Sequence, residues 1–297
     1  SMKDFRGTGV AMVTPFKSDK SVDFNALQKL TNHLIDGGVD YLVVQGTTGE
    51  SATLTKDEKQ EVLSCIVSEN NDRLPLVWGH GGNNTQALIE GFSQFDLNGV
   101  DAVLAASPYY NKPTQPGIVA HYKAYADASP LPVILYNVPG RTASNMATAT
   151  TLELAEHQNI IAIKEASGDL SQVGTIIKNR PSKFLVLSGD DPLIIPHMAL
   201  GGDGIISVVA NAFPRQFSEI SRQCFIGDYN TARQFHYLLI DLIHLLFAEG
   251  NPGGVKAVCH MLGLMDNEVR LPLAPVSSEL MKKLEVQIER IGAIASV

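Results

Sequence analysis

The chain is poor in cysteine. Cys65, Cys224 and Cys259 are far apart, odd in number and never in a CxxC pair. This argues against a disulfide framework or a thiolate zinc site, and points to reduced core thiols in a cytoplasmic protein. A basic excess is also lacking. Formal net charge is −8 and the charges are scattered, so a nucleic-acid role has no electrostatic support. No apolar run is long enough to span a bilayer, and no signal peptide opens the chain. Ser1, ahead of Met2, reads as a cloning remnant and stands outside the fold argument. The histidines form no HxH, HxxxH or HExxH cluster, so neither a metal nor a metal-bound cofactor is expected. Nucleotide signatures are missing as well. "QGTTGES" (45–51) lacks the lysine of a phosphate-binding GxxxxGK[ST] loop. "GHGGNN" (79–84) has Asn84 where the dinucleotide fingerprint needs its last glycine.

What is present is apolar and periodic. Of 297 residues, 44% are hydrophobic, enough for a sizeable core. Eight short apolar runs recur: 9–15, 40–46, 74–80, 101–107, 131–138, 160–166, 184–190 and 204–210. They are rich in Val, Ile and Leu without clean polar alternation, the pattern of strands covered on both faces. Helix patterns lie between them. One is capped by Asp23, and another opens with the capping box Thr55–Glu58. A third runs over 84–99, "NTQALIEGFSQFDLNG", and a fourth over 170–180. The junctions "GGVDYLVV", "NGVDAVLA" and "GGDGIISV" form a weak internal repeat, each with glycine ending a helix before a strand.

Eight β-then-α units predict a (β/α)₈ TIM barrel over 1–227. A doubly wound open sheet is the alternative, but "GVAMVTPF" carries no nucleotide fingerprint at its first turn. After residue 227 the pattern is helical without strands, so 228–297 is expected to be a C-terminal helical appendage packed on the barrel.

"IIAIKEASGD" (160–169) places Lys164 at the end of an apolar strand. An isolated lysine there would usually have surfaced, its stem snorkelling. In a (β/α)₈ barrel, however, strand C-termini form the active site. The same filter selects Thr47 and Thr48, Tyr109 and Tyr110, Tyr136, Arg141, Gly189 and Ile206. A partly dehydrated barrel mouth disfavours an ammonium, and a neutral amine can attack a carbonyl to form a Schiff base. A phenol and hydroxyls can shuttle protons, and a guanidinium can hold a carboxylate. Singly, each group has a plainer role: a core tyrosine, a turn of threonines, a solvated arginine. Asp190 and Asp191 read as a helix N-terminus rather than a metal pair.

"GTTGES" (46–51), "PYYNKP" (108–113), "YNVPGRT" (136–142), "IKEASGD" (163–169), "SGDD" (188–191), "GIISVVAN" (204–211) and "VRLPLAP" (269–275) together resemble the dihydrodipicolinate synthase family. The resemblance runs from about residue 5 into the C-terminal helices. It implies a class I aldolase of lysine and diaminopimelate biosynthesis that needs no metal or nucleotide. Lys164 would form a Schiff base with pyruvate, and the enamine would attack L-aspartate-4-semialdehyde. It further implies a proton relay of Tyr136, Thr47 and Tyr110, with Tyr110 reaching a neighbouring subunit's site. Thr47 and Thr48 would hold pyruvate's carboxylate and Arg141 the semialdehyde's, while Gly189 and the Ile206 backbone line the pocket. A homotetramer built as a dimer of dimers is expected.

Many members of that family bind L-lysine as an inhibitor between two subunits. The matching cleft would involve Ser51, Ala52, Lys56, Gly81, Asn83 and Tyr109. Lys56 and Lys59 replace frequent histidines, and the segment around Ala87 lacks the usual glutamate, so weak or absent inhibition is expected. Gly254 also departs from a more usual proline. The rival readings are another pyruvate-dependent aldolase, such as an N-acetylneuraminate lyase or keto-deoxy sugar acid aldolase, and a non-catalytic ligand-binding barrel.

Overall fold

In the computed structural model, residues 2–295 are described; Ser1 lies outside them. Eight parallel strands close into a barrel in sequence order. They are β1 (Gly7–Ala11), β2 (Tyr41–Val44), β3 (Leu76–Gly79), β4 (Ala102–Ala106), β5 (Val133–Asn137), β6 (Ile160–Glu165), β7 (Leu185–Ser188) and β8 (Gly204–Ser207). Each falls on one of the eight apolar runs, although β1 begins two residues before its run. Both strand faces are buried, which explains why alternation is absent from the sequence.

The two faces nevertheless have different partners. Side chains alternate along a strand. Tyr41 and Val43 of β2 point into the barrel with Ile134, Tyr136, Ala162 and Leu187. Leu42 and Val44 pack outward against the helices. By the same parity Lys164, two residues after Ala162, faces inward. Its strand register sets it beside Tyr136.

Around the strands run α1 (Phe24–Asp36), α2 (Lys56–Asn70), α3 (Thr85–Gly91), α4 (Gln115–Ala128), α5 (Pro139–Thr142), α6 (Thr148–Ala155), α7 (Leu170–Asn179), α8 (Ile194–Ala199) and α9 (Pro214–Phe225). Asp23 caps α1 by accepting from the Ala26 N–H at 3.0 Å. Thr55 and Glu58 form both bonds of the capping box on α2. The helix expected over 84–99 is shorter, ending at Gly91. A Cβ at Gly91 would meet the His80 ring at 2.6 Å. From there the backbone tightens, Phe92, Ser93 and Gln94 each donating three residues back.

The weak repeat has a physical basis. Gly38, Gly99 and Gly201 all hold left-handed backbone, φ +80, +85 and +98, which L side chains rarely adopt. The aspartate that follows each glycine then ties two strands together at the barrel's N-terminal end. Asp40 accepts from Thr8 N at 2.8 Å, Asp101 from Leu76 N at 2.9 Å and Asp203 from Val186 N at 2.8 Å. One junction thus solves the same backbone-pairing problem three times.

Beyond Gly227 the chain forms α10 (Tyr229–Leu246), α11 (Gly253–Met261) and α12 (Ser278–Ala295), with no strand among the described residues there. α10 packs on both α9 and α12. The three cysteines are unpaired, and burial pushes the Cys224 thiol up to about 11 and Cys259 to about 12. No helix among the described residues is long and apolar enough to cross a membrane.

Candidate active site

A cavity of about 1010 Å³ opens at the C-terminal ends of the strands. Thr47, Thr48, Tyr136, Arg141, Lys164 and Gly189 all line it. They come from β2, β5, β6 and β7 and the turns that follow, so barrel closure brings together groups up to 142 residues apart. Ala11, Val43 and Leu104 supply an apolar floor.

Lys164 is 7% exposed, and its Nζ lies over the Tyr136 ring, 4.1 Å from the centroid. The ring face attracts a cation. Gly189 makes room for the lysine stem: a Cβ there would meet Ala166 Cβ at 2.7 Å and Lys164 Cε at 3.1 Å. Burial raises the Asp190 carboxyl above its ordinary range, while the nearby Lys164 charge acts against that rise. Asp191 opens a short 3₁₀ turn, but its carboxylate serves elsewhere. It accepts from Val208 N at 3.1 Å and Val209 N at 2.8 Å after β8, and burial raises it to about 6. No group of three His, Cys, Asp or Glu among the described residues is placed to hold a metal ion.

Two of the residues expected to act on substrate lie off the cavity wall. Ile206 is 1% exposed and belongs to the inner apolar cluster that includes Tyr136. Tyr110 is 89% exposed and lines no part of Lys164's cavity, with a left-handed φ of +72. That backbone is costly for an aromatic residue. Tyr109 does line the cavity, as do Ser51, Ala52, Lys59 and Gly81, so the cleft expected for lysine is continuous with the strand-end chamber. Asn83 donates to the Tyr109 carbonyl at 3.3 Å, whereas Lys56 is exposed in the first turn of α2 and off the wall.

Two supporting networks were not legible in the sequence. Next to Lys164, Glu165 is buried and accepts from Asn137 Nδ2 at 2.9 Å, Ser167 N at 3.1 Å and Gln172 Nε2 at 3.2 Å. Asn137 also donates to Asn145 Oδ1 at 2.8 Å and accepts from Met146 N at 3.0 Å. This fixes the end of β6 against the segment that carries Arg141. Burial is the main cause of Glu165's raised pKa, with its donors acting the other way. The second network joins the Thr47–Glu50 turn to the C-terminal helices. Asn251 Nδ2 donates to Thr48 Oγ1 at 3.0 Å, and Glu50 pairs with the wholly buried Lys256. Glu50 and Lys256 are 206 positions apart, and nothing in either local sequence signals the pairing.

Residues 4–291 match the model of the dihydrodipicolinate synthetase family. The 4-hydroxy-tetrahydrodipicolinate synthase of Flavobacterium psychrophilum is 52% identical over 292 residues, covering 98% of this chain and 100% of that one. The protein of the same name from Parabacteroides distasonis is 48% identical, covering 97% and 98%. The crystal structure of dihydrodipicolinate synthase from Aquifex aeolicus superposes with a TM-score of 0.93 at 41% identity, covering 97% of this chain and 98% of that one. The chain belongs to the dihydrodipicolinate synthetase family.

Proposed function

We propose that the protein condenses pyruvate with L-aspartate-4-semialdehyde to give 4-hydroxy-tetrahydrodipicolinate, in lysine and diaminopimelate biosynthesis. The observation that carries this reading is the inward-facing Lys164, paired in register with Tyr136 in a cavity that also presents Thr47, Thr48 and Arg141.

The Lys164 amine attacks C2 of pyruvate, and loss of water leaves an imine. The imine acidifies the neighbouring methyl group, so loss of a proton gives an enamine. The enamine carbon attacks the semialdehyde carbonyl and forms the new carbon–carbon bond. The adduct's own amine then attacks the imine carbon, closes the ring and releases Lys164. The imine is the electron sink, so no metal or nucleotide is required.

Thr47 and Thr48 hold pyruvate's carboxylate, and Arg141 holds the semialdehyde's with its two-pronged guanidinium. Tyr136 and Thr47 pass protons, and Tyr110 completes the relay in a neighbouring subunit. The outward position of Tyr110 supports that assignment, since within its own chain it lines no part of the chamber. The assembly is a homotetramer of two tight dimers in a cytoplasmic setting, where the free thiols stay reduced.

Borohydride reduction in the presence of pyruvate should add mass at Lys164, and Lys164→Ala should abolish the adduct while leaving the fold intact. Turnover with aspartate semialdehyde, beside a keto-deoxy sugar acid, separates this reading from its nearest rival. Turnover of the sugar acid alone would reject it, and absence of any adduct would favour a binding barrel.

A further inference from the structure

The side chains of the Thr47–Glu50 turn are tied to residues distant in sequence. Its own bonds are few: Gly49 N to Gly46 O at 3.1 Å and Glu50 N to Thr47 O at 3.0 Å. Thr14 Oγ1 donates to the Gly49 carbonyl at 2.7 Å. The Glu50 carbonyl accepts from Thr53 N at 3.1 Å and Thr53 Oγ1 at 3.3 Å, whereas the side chains of Thr48 and Glu50 are tied to the C-terminal helical region. Asn251 reaches Thr48 Oγ1, and the Glu50 carboxylate takes two partners. One oxygen pairs with Lys256 Nζ, and the other accepts from Arg270 N at 3.0 Å.

These partners are themselves fixed. Lys256 also donates to the Glu268 carbonyl at 2.9 Å and lies 4.1 Å from the Phe16 ring centroid. The Arg270 guanidinium lies 4.4 Å from the centroid of the same ring and donates to Thr53 O at 2.7 Å and Glu58 Oε1 at 2.8 Å. Glu50 itself holds a left-handed φ of +54, which its surroundings must sustain.

A buried ion pair is a poor source of stability. Replacing both partners with neutral groups of similar volume is often neutral or favourable, because desolvation offsets the Coulomb attraction. What such a pair supplies is a defined position. We infer that the buried Glu50–Lys256 pair is a positioning device, through which the C-terminal helical region sets the placement of Thr47 and Thr48 against Lys164. Lys256 lies off the chamber wall, and Glu50 lines the chamber with both carboxylate oxygens already engaged by Lys256 and Arg270. Glu50 acts through the two threonines that precede it, and Lys256 acts through Glu50. The inference rests on the reading that Thr47 and Thr48 hold pyruvate's carboxylate. A displacement of about 1 Å in such a group is enough to cost on the order of a hundredfold in rate.

The test uses the full-length protein and two variants. E50Q/K256M removes both charges at nearly constant volume, leaving no buried ion unpaired. Glu50→Asp keeps both charges but shortens the tether by one methylene. Both should melt within a few degrees of the parent. Both should lose about tenfold or more in kcat/KM for pyruvate, with KM for pyruvate rising more than kcat falls. At saturating pyruvate, borohydride should still trap the Lys164 adduct. A merely structural role would lower the melting temperature and the active fraction together, leaving KM unchanged, and would overturn the inference. A folded variant with kcat/KM within about twofold of the parent would overturn it too. If E50Q/K256M does not fold, Glu50→Asp decides alone. Turnover by the parent checks the underlying reading separately, so failure of either is distinguishable.

Discussion

Tyr136 and Lys164 sit side by side on β5 and β6, and the lysine amine lies over the face of the tyrosine ring rather than at its hydroxyl. The ring and the hydroxyl can therefore be separated experimentally. Tyr136→Phe keeps the face on which the amine rests and removes the hydroxyl with which Tyr136 would pass protons. Pyruvate should still be trapped on Lys164 by borohydride in this variant. kcat should fall by about 10²- to 10⁴-fold, the usual worth of a positioned acid–base group. Steady-state kinetics beside mass spectrometry of the trapped protein reads both. An unchanged kcat would remove Tyr136 from the relay.

Gly189 tests the steric side of the same arrangement. Its missing Cβ leaves space that Ala166 and the Lys164 stem fill from two sides. The lysine stem can bend away, but the Ala166 Cβ at 2.7 Å is held by the end of β6. Gly189→Ala should therefore displace the amine and lower kcat/KM by about a hundredfold. The overpacking itself should cost about 1–3 kcal/mol of stability, seen as a lower melting temperature. Full activity in a folded Gly189→Ala protein would show that the lysine has more freedom than its packing suggests.

The barrel was legible in the sequence because strands covered on both faces leave uninterrupted apolar runs, and all eight runs hold a strand. Helix length was less legible. Beyond Gly91 the sequence continues in helix-compatible residues, but the backbone tightens into bonds three residues back and the helix ends early. The chamber residues stood out for one reason: Thr47, Thr48, Tyr136 and Lys164 are polar where an apolar strand ends. That rule cannot find groups that act at a distance. Lys256 reads as one more helix lysine in "GGVKAVCHM", and only the fold places it beside Glu50. Tyr110 fails the rule differently: Ala106 and Tyr109 of the same strand end line the chamber, but Tyr110 itself is exposed and off its wall.

Acid stability should depend on one clamp. The Arg270 side chain bonds Glu58 and, with the capping box, holds its carboxyl down at about 2 from an ordinary 4.5. A carboxylate whose folded pKa is depressed stabilises the fold above its unfolded value, and that contribution is lost as pH falls toward the folded value. The clamp is thus fully present above about pH 4.5 and fades between there and about pH 2. Glu58→Gln should melt lower than the parent at neutral pH, and the difference should close across that window. Melting curves running parallel from neutral pH down to pH 2 would exclude the clamp as a source of acid sensitivity.

The cleft beside the chamber predicts how the protein responds to L-lysine. Lys59 lines this cleft with Ser51, Gly81 and Tyr109, and burial lowers its pKa. No carboxylate among the described residues pairs with its amine. Free lysine carries an ammonium at each end of its chain at neutral pH, and each needs an acceptor. The residue at position 87 is an exposed alanine, and Lys59 presents a like charge instead. Like charges a few ångströms apart in a partly dehydrated cleft repel by more than a small ligand's hydrogen bonds recover. Initial rates should therefore be unchanged by L-lysine up to on the order of 1 mM, a concentration at which even a 4 kcal/mol site would half-fill. Half-inhibition well below that would require an acceptor for the ammonium supplied from outside this chain, for which a partner subunit's carboxylate is the direct candidate. Repeating the titration on Lys59→Gln separates the two effects. If repulsion by Lys59 is what blocks binding, the variant should gain inhibition, and if the missing acceptor is what blocks it, the variant should remain insensitive.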